Sequence, residues 1–190
     1  MPQEISPASS IGPWPAEGLT RVPYWVFQRE DVYAAEQARL FQGPVWSFLC
    51  LDAEVANAGD FRTTSIGDAP VVVTRHSDGA LHAFENRCSH RGALICLEEH
   101  GKGQRDFQCV YHGWSYDLAG NLTGVAFKNG MKGKGGMPKT FKLEDHHPRK
   151  VRLAILHGLV FGTFFADAPP LEDYLGPEIV PRIGRVFAGR

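Results

Sequence analysis

The chain has no long apolar run, no charge excess of either sign and few cysteines, and each shortage removes a class of protein. No stretch of about 20 apolar residues occurs, the length a helix needs to cross a bilayer. The opening Met1-Pro2-Gln3-Glu4 lacks the basic and apolar regions of a secretion signal, so a cytoplasmic protein is expected. With 20 Lys and Arg against 21 Asp and Glu, the formal net charge is −1. Binding to nucleic acid or to an anionic membrane ordinarily calls for a basic excess, so neither partner is expected. No Gly-Lys-Ser/Thr ending closes a glycine-rich turn after a strand, which excludes a phosphate-binding loop. Of four cysteines, Cys50 and Cys96 read as free buried thiols in a reducing compartment.

What is there suits one ordinary soluble domain with attached segments: 190 residues, 43% of them hydrophobic and 22% charged. Residues 1 to 23 form a proline-rich lead, too irregular for a helix or central strand. From Glu30 to Gln42 the composition turns helical, with acids in the first turn and Gly43-Pro44 as a stop. Tyr33, Leu40 and Phe41 are expected to share a packing face of that helix. After it the period changes to two, Trp46, Phe48 and Cys50 alternating along a half-buried strand. Val71–Thr74 and Leu81–Phe84 flank Asp78-Gly79 as a hairpin. Phe107–Tyr111 and Trp114–Asp117 follow, then a last hairpin about His157-Gly158. Many short strands imply a mainly β, antiparallel sandwich or small barrel, with two short helices after Pro170. The glycine- and lysine-rich residues 128–138 are expected to be a long mobile loop, either a basic docking surface or a solvated insertion.

Two stretches carry chemistry. Cys88-Ser89-His90 and Cys109-Val110-Tyr111-His112 each supply one thiolate and one imidazole, and a glycine follows each, Gly92 and Gly113. Eighteen residues separate His90 from Cys109. Four such ligands suit a tetrahedral zinc ion or a [2Fe-2S] cluster in which two histidines replace two cysteines on one iron. Common zinc fingers segregate cysteines and histidines, whereas each motif here mixes them, and mixed loops fit a dinuclear centre better.

These residues, Cys88-Ser89-His90-Arg91-Gly92 and Cys109-Val110-Tyr111-His112-Gly113-Trp114, resemble the Rieske signature of the large subunit of aromatic ring-hydroxylating oxygenases. Respiratory Rieske proteins carry an extra cysteine in each loop and a serine near the last histidine; Ala93, Tyr111 and Trp114 stand there instead. With that disulfide and hydroxyl missing, a potential near the low end of the roughly −150 to +300 mV Rieske range is expected. The resemblance implies an antiparallel Rieske-type fold with both ligand loops at its tip. It implies a [2Fe-2S] cofactor on Cys88, His90, Cys109 and His112, with the histidine-bound iron outermost. It divides the chain into an N-terminal extension and helix (1–44), a Rieske domain (45–166) and the start of a linker (167–190) to a catalytic domain that lies beyond this chain.

A ferredoxin or flavin reductase would be the electron donor. The recipient would be mononuclear non-haem iron in the catalytic domain of the same or a neighbouring large subunit, with a small beta subunit as a further partner. No catalytic residue is expected among His76, His82, His100, His146, His147 and His157. Arg91 is singled out as a neutralising or pairing residue beside His90, and Trp114 as a shield packed on the site. Gly135–Lys139 and Phe141–Glu144 resemble subunits acting on salicylate, anthranilate and other ortho-substituted benzoates, with naphthalene- or biphenyl-type hydrocarbons as the alternative. A stand-alone Rieske-type ferredoxin and a zinc-stabilised interaction module are the competing functions.

Overall fold

The computed structural model describes residues 14–16, 18–132 and 134–187. Most of the proline-rich lead lies outside them. Among the described residues, ten strands form three antiparallel sheets. β1 (Ser47–Leu51), β9 (Arg152–Leu156) and β10 (Leu159–Thr163) make the first, in the order β1-β10-β9. β2 (Phe61–Ile66), β3 (Ala69–Arg75), β4 (Leu81–Glu85) and the two-residue β5 (His100–Gly101) make the second, ordered β4-β3-β2-β5. The third holds β6 (Asp106–Gln108), β7 (Ser115–Asp117) and β8 (Leu122–Gly124). The first two are laced together where Glu85 N–H donates to the Arg149 carbonyl and Val151 N–H to that of Ala83, at 2.8 and 2.9 Å.

β3 explains why its sequence does not alternate. Val71 and Val73 face a core shared with Leu49, Ile66 and Val160, while Val72 faces a second core with Phe84, Phe107 and Tyr116. All three valines are at 0% exposure, so the strand is covered on both faces and reads as an apolar run. At about 1.5–3 kcal/mol per buried side chain, this strand is a main source of stability. The second of these cores contains Cys88, Cys109 and Trp114 and thus ties the ligand loops to the sheet.

Two expectations need correction. Register slips between Phe48 and Cys50 in β1, so Leu49 and Cys50 are both buried and Phe48 is left 50% exposed. A bulge of this kind breaks the two-residue period that the alternation assumes. The N-terminal helix α1 (Glu30–Glu36) passes into a π turn over Gln37–Phe41, closed by Gln42 N–H donating to the Gln37 carbonyl at 2.9 Å. The wider turn undoes the common apolar face, and Tyr33, Leu40 and Phe41 all stay substantially exposed. Polar contacts dock the helix instead: the Tyr33 hydroxyl donates to the Asp68 carboxylate, and Asp68 N–H donates to Gln37 Oε1 at 3.0 Å.

The lysine-rich segment 128–138 is a loop, as expected, and lies between β8 and Leu143 with no helix or strand of its own among the described residues. It has a closed neck, where Met137 N–H donates to the Lys128 carbonyl at 2.8 Å, and Met131 and Lys134 exchange bonds at 2.9 and 3.0 Å. Its composition suggests a structureless insertion because glycine hides backbone contacts from a reading by side chains. After Pro170, α2 (Leu171–Phe187) is broken at Gly176, where φ is 76° and ψ 171°, giving the two short helices expected. Leu171, Leu175 and Val180 pack with Trp46, Leu156 and Phe161 on the first sheet.

Candidate metal centre

Both ligand loops are the same backbone device. In the first, Cys88 N–H donates to the Ala93 carbonyl at 2.7 Å and Gly92 N–H donates back to the Cys88 carbonyl at 2.8 Å. In the second, Cys109 N–H donates to the Trp114 carbonyl at 2.8 Å and Gly113 N–H to the Cys109 carbonyl at 2.9 Å. Each cysteine is thus held by the residues four and five positions on. The fourth residue must enter the left-handed region, and glycine fills it both times, with φ of 74° at Gly92 and 65° at Gly113. The second loop joins β6 to β7, whose pairing Gln108↔Ser115 sets its base. The first leaves β4 and is anchored by Asn86, 2% exposed. Asn86 Oδ1 accepts from Ile95 and Cys96 N–H at 3.0 and 2.8 Å, and its Nδ2 donates to the Cys96 carbonyl at 2.8 Å.

The four ligand candidates meet as two pairs. Cys88 and Cys109 are buried at 3% and 2% exposure. The Cys88 thiol is held above its ordinary range chiefly by burial; the Tyr116 hydroxyl and the His90 backbone oppose this, and the adjacent Cys109 thiol adds to it. Nearer the surface, His90 Nδ1 lies 3.1 Å from His112 Nδ1, with ring centroids 4.6 Å apart. Burial lowers the His90 pKa, and the neighbouring His112 and Arg91 lower it further. Two imidazole nitrogens facing at that distance need a proton between them or a shared Lewis acid, and either leaves each ring its second nitrogen. Among the described residues no three His, Cys, Asp or Glu side chains converge as a single ion requires. Two buried soft thiols below and two facing imidazoles above suit a two-iron group with two protein ligands on each iron.

Trp114, buried at 4%, stacks on His90 with centroids 5.0 Å apart and planes 9° from parallel. It both fills the core and fixes the imidazole. Arg91 is exposed and makes no ion pair among the described residues. Cys50 and Cys96 are free and buried, their thiols pushed up by burial to about 12 and about 11. Tyr116 escapes a reading by motif. Its hydroxyl donates to Cys88 Sγ at 3.2 Å and accepts from Ser89 N–H at 3.1 Å. The one signal for it is the alternation of Trp114, Tyr116 and Leu118, all buried, along β7 and just beyond.

A model of the Rieske [2Fe-2S] domain matches residues 45–133. This part of the chain is a Rieske [2Fe-2S] domain. Terephthalate 1,2-dioxygenase, terminal oxygenase component subunit alpha 2, of Comamonas sp. is 54% identical over 94% of the chain and 43% of its own length. The anthranilate 1,2-dioxygenase large subunit of Burkholderia cepacia is 51% identical over 92% of the chain and 41% of its own length. Among solved structures, naphthalene 1,2-dioxygenase from Rhodococcus sp. bound to indole superposes with a TM-score of 0.75 at 31% identity. It covers 90% of this chain and 37% of that one. The chain carrying the Rieske domain thus spans less than half the length of these relatives. Among the described residues no helix is long and apolar enough to cross a membrane.

Proposed function

We propose that Cys88 and Cys109 hold one iron and His90 and His112 the other, and that the Rieske domain relays electrons within an aromatic ring-hydroxylating dioxygenase. The facing of His90 Nδ1 and His112 Nδ1 at 3.1 Å, above two buried thiols, carries this reading. When bound, the cluster supplies a one-electron store. The residues of this chain do the rest. The Tyr116 hydroxyl, donating to Cys88 Sγ, favours the reduced charge against the cost of burial, Trp114 holds His90 in plane, and the second imidazole nitrogens offer hydrogen bonds outward. A ferredoxin or reductase is the donor, and mononuclear iron in a catalytic domain is the recipient. Residues 45–166 form the relay unit, 1–44 its N-terminal extension and 167–190 the start of a linker. Similarity to the terephthalate and anthranilate enzymes supports an aromatic carboxylate as substrate of the whole protein.

Electron paramagnetic resonance of the dithionite-reduced protein tests the assignment. The expected spectrum has the lowered average g value that histidine ligation causes. A silent spectrum with stoichiometric zinc would sink the cluster.

A further inference from the structure

From Lys128 to Lys142 the chain carries five lysines and no acidic residue, although the net charge of the whole is −1. Lys128, Lys132, Lys134, Lys139 and Lys142 are all exposed, and none forms an ion pair among the described residues. The remainder of the molecule is therefore net acidic, and this loop is a local patch of opposite sign. The loop also has a closed neck, where Met137 N–H donates to the Lys128 carbonyl. A Cβ on Gly136 would lie 2.6 Å from Gly130 N and 2.8 Å from the Lys128 carbonyl oxygen, so the neck closes backbone against backbone.

Both ends of the loop rest on the ligand loops. At its start, a Cβ on Gly113 would touch Ala126 Cβ at 3.4 Å, one residue after the second imidazole. At its end, Phe141 sets its edge against Trp114 at 5.9 Å and stacks on His146 at 4.4 Å, and Trp114 stacks on His90. Met137 and Phe141 pack on the core that contains Cys88 and Cys109. Exposed Phe127 and Met131, at 69% and 61%, add apolar area among the lysines.

We propose that this loop is the landing surface of an acidic electron-donating protein, and that Phe141 and Trp114 are the contacts leading from it to His90. The proposal rests on the relay reading above. One electron leaves the partner's reduced centre and one arrives at the centre held by the four ligands, with no bond to hydrogen made or broken. A small apolar patch with a charged rim suits brief, steered encounters between proteins. A polyphosphate would gain from the lysines but would leave the exposed Phe127 and Met131 uncovered, whereas a protein surface can cover both.

The test uses the 190-residue chain carrying its cluster and, as probe, a small acidic plant-type [2Fe-2S] ferredoxin. Affinity by calorimetry and the second-order reduction rate by stopped flow are compared for the parent, a Lys128→Glu/Lys132→Glu/Lys134→Glu variant and a Lys102→Glu/Arg105→Glu control. The loop variant is expected to lose tenfold or more in both, roughly the lower end of electrostatic steering, and to lose the parent's steep salt dependence. Its visible spectrum and cluster potential stay unchanged. Equal losses in loop variant and control, no loss in either, or a parent that does not bind the probe would overturn the surface. So would heparin binding to the parent more tightly than the ferredoxin does. A parent that binds the ferredoxin through the loop but carries no cluster would instead sink the relay reading, since calorimetry does not depend on the cluster.

Discussion

Tyr116 stands at a point where one hydrogen bond acts on electron affinity. Its hydroxyl, inside the buried core, donates to Cys88 Sγ at 3.2 Å. Reduction adds negative charge that spreads onto the ligand sulfurs, and a donor aimed at one of them stabilises the reduced state more than the oxidised. The low potential expected from Ala93, Tyr111 and Trp114 counts the disulfide and donor that are missing, and Tyr116 is a donor that is present. Tyr116→Phe keeps the ring and removes the hydroxyl. The potential should fall by roughly 30–60 mV, the one-electron equivalent of a net hydrogen bond of about 0.7–1.4 kcal/mol. A redox titration followed by visible circular dichroism reads it, and an unchanged potential would remove Tyr116 from the tuning of the site. The ligand candidates were legible in sequence because metal chemistry demands particular side chains at short spacing. Tyr116 was not, because its partner lies 28 residues away and the contact exists only once β7 is beside the first loop.

The elements divide in the same way between local and distant causes. Asp78-Gly79 and His157-Gly158 announce their hairpins because turn geometry is set within a few residues. The bulge in β1 and the π turn after α1 were hidden, since neither leaves a residue-type signature and both answer to packing partners. The first ligand loop shows how a distant anchor makes an element. Its return segment, Ile95 and Cys96, is held by three hydrogen bonds to one buried side chain, Asn86. Asn86→Ala would leave two N–H groups and one carbonyl without partners in the interior. A loss of about 2–4 kcal/mol is expected, seen as a lower urea midpoint with unchanged slope. The same loosening should raise hydrogen exchange at Cys88–His90 more than in β9 and β10. A variant as stable as the parent would mean that water or the metal centre takes over those bonds.

Across the whole molecule, stability is uneven, and the ligand loops sit at its weaker end. The second sheet and the β1-β10-β9 sheet share a core of fully buried valines and are laced through β4. The β6-β7-β8 sheet has strands of only three residues and packs on that body through Phe107, Tyr116 and Leu122. Strands so short contribute little pairing energy of their own. What else holds them is the meeting of the two loops, and paired thiols and imidazoles have little reason to stay together without metal. Removing iron with a chelator under reducing conditions should therefore loosen residues 86–96 and 106–124 first. Amide exchange there is expected to rise by about tenfold or more, for a loss of some 1.4 kcal/mol or more of local stability, while β3 and β10 keep their protection. Hydrogen exchange with mass spectrometry on matched metal-loaded and metal-free samples reads this directly. Uniform deprotection would mean that the metal holds up the entire fold, and none at all would mean that the Phe107–Tyr116 packing suffices without the clip.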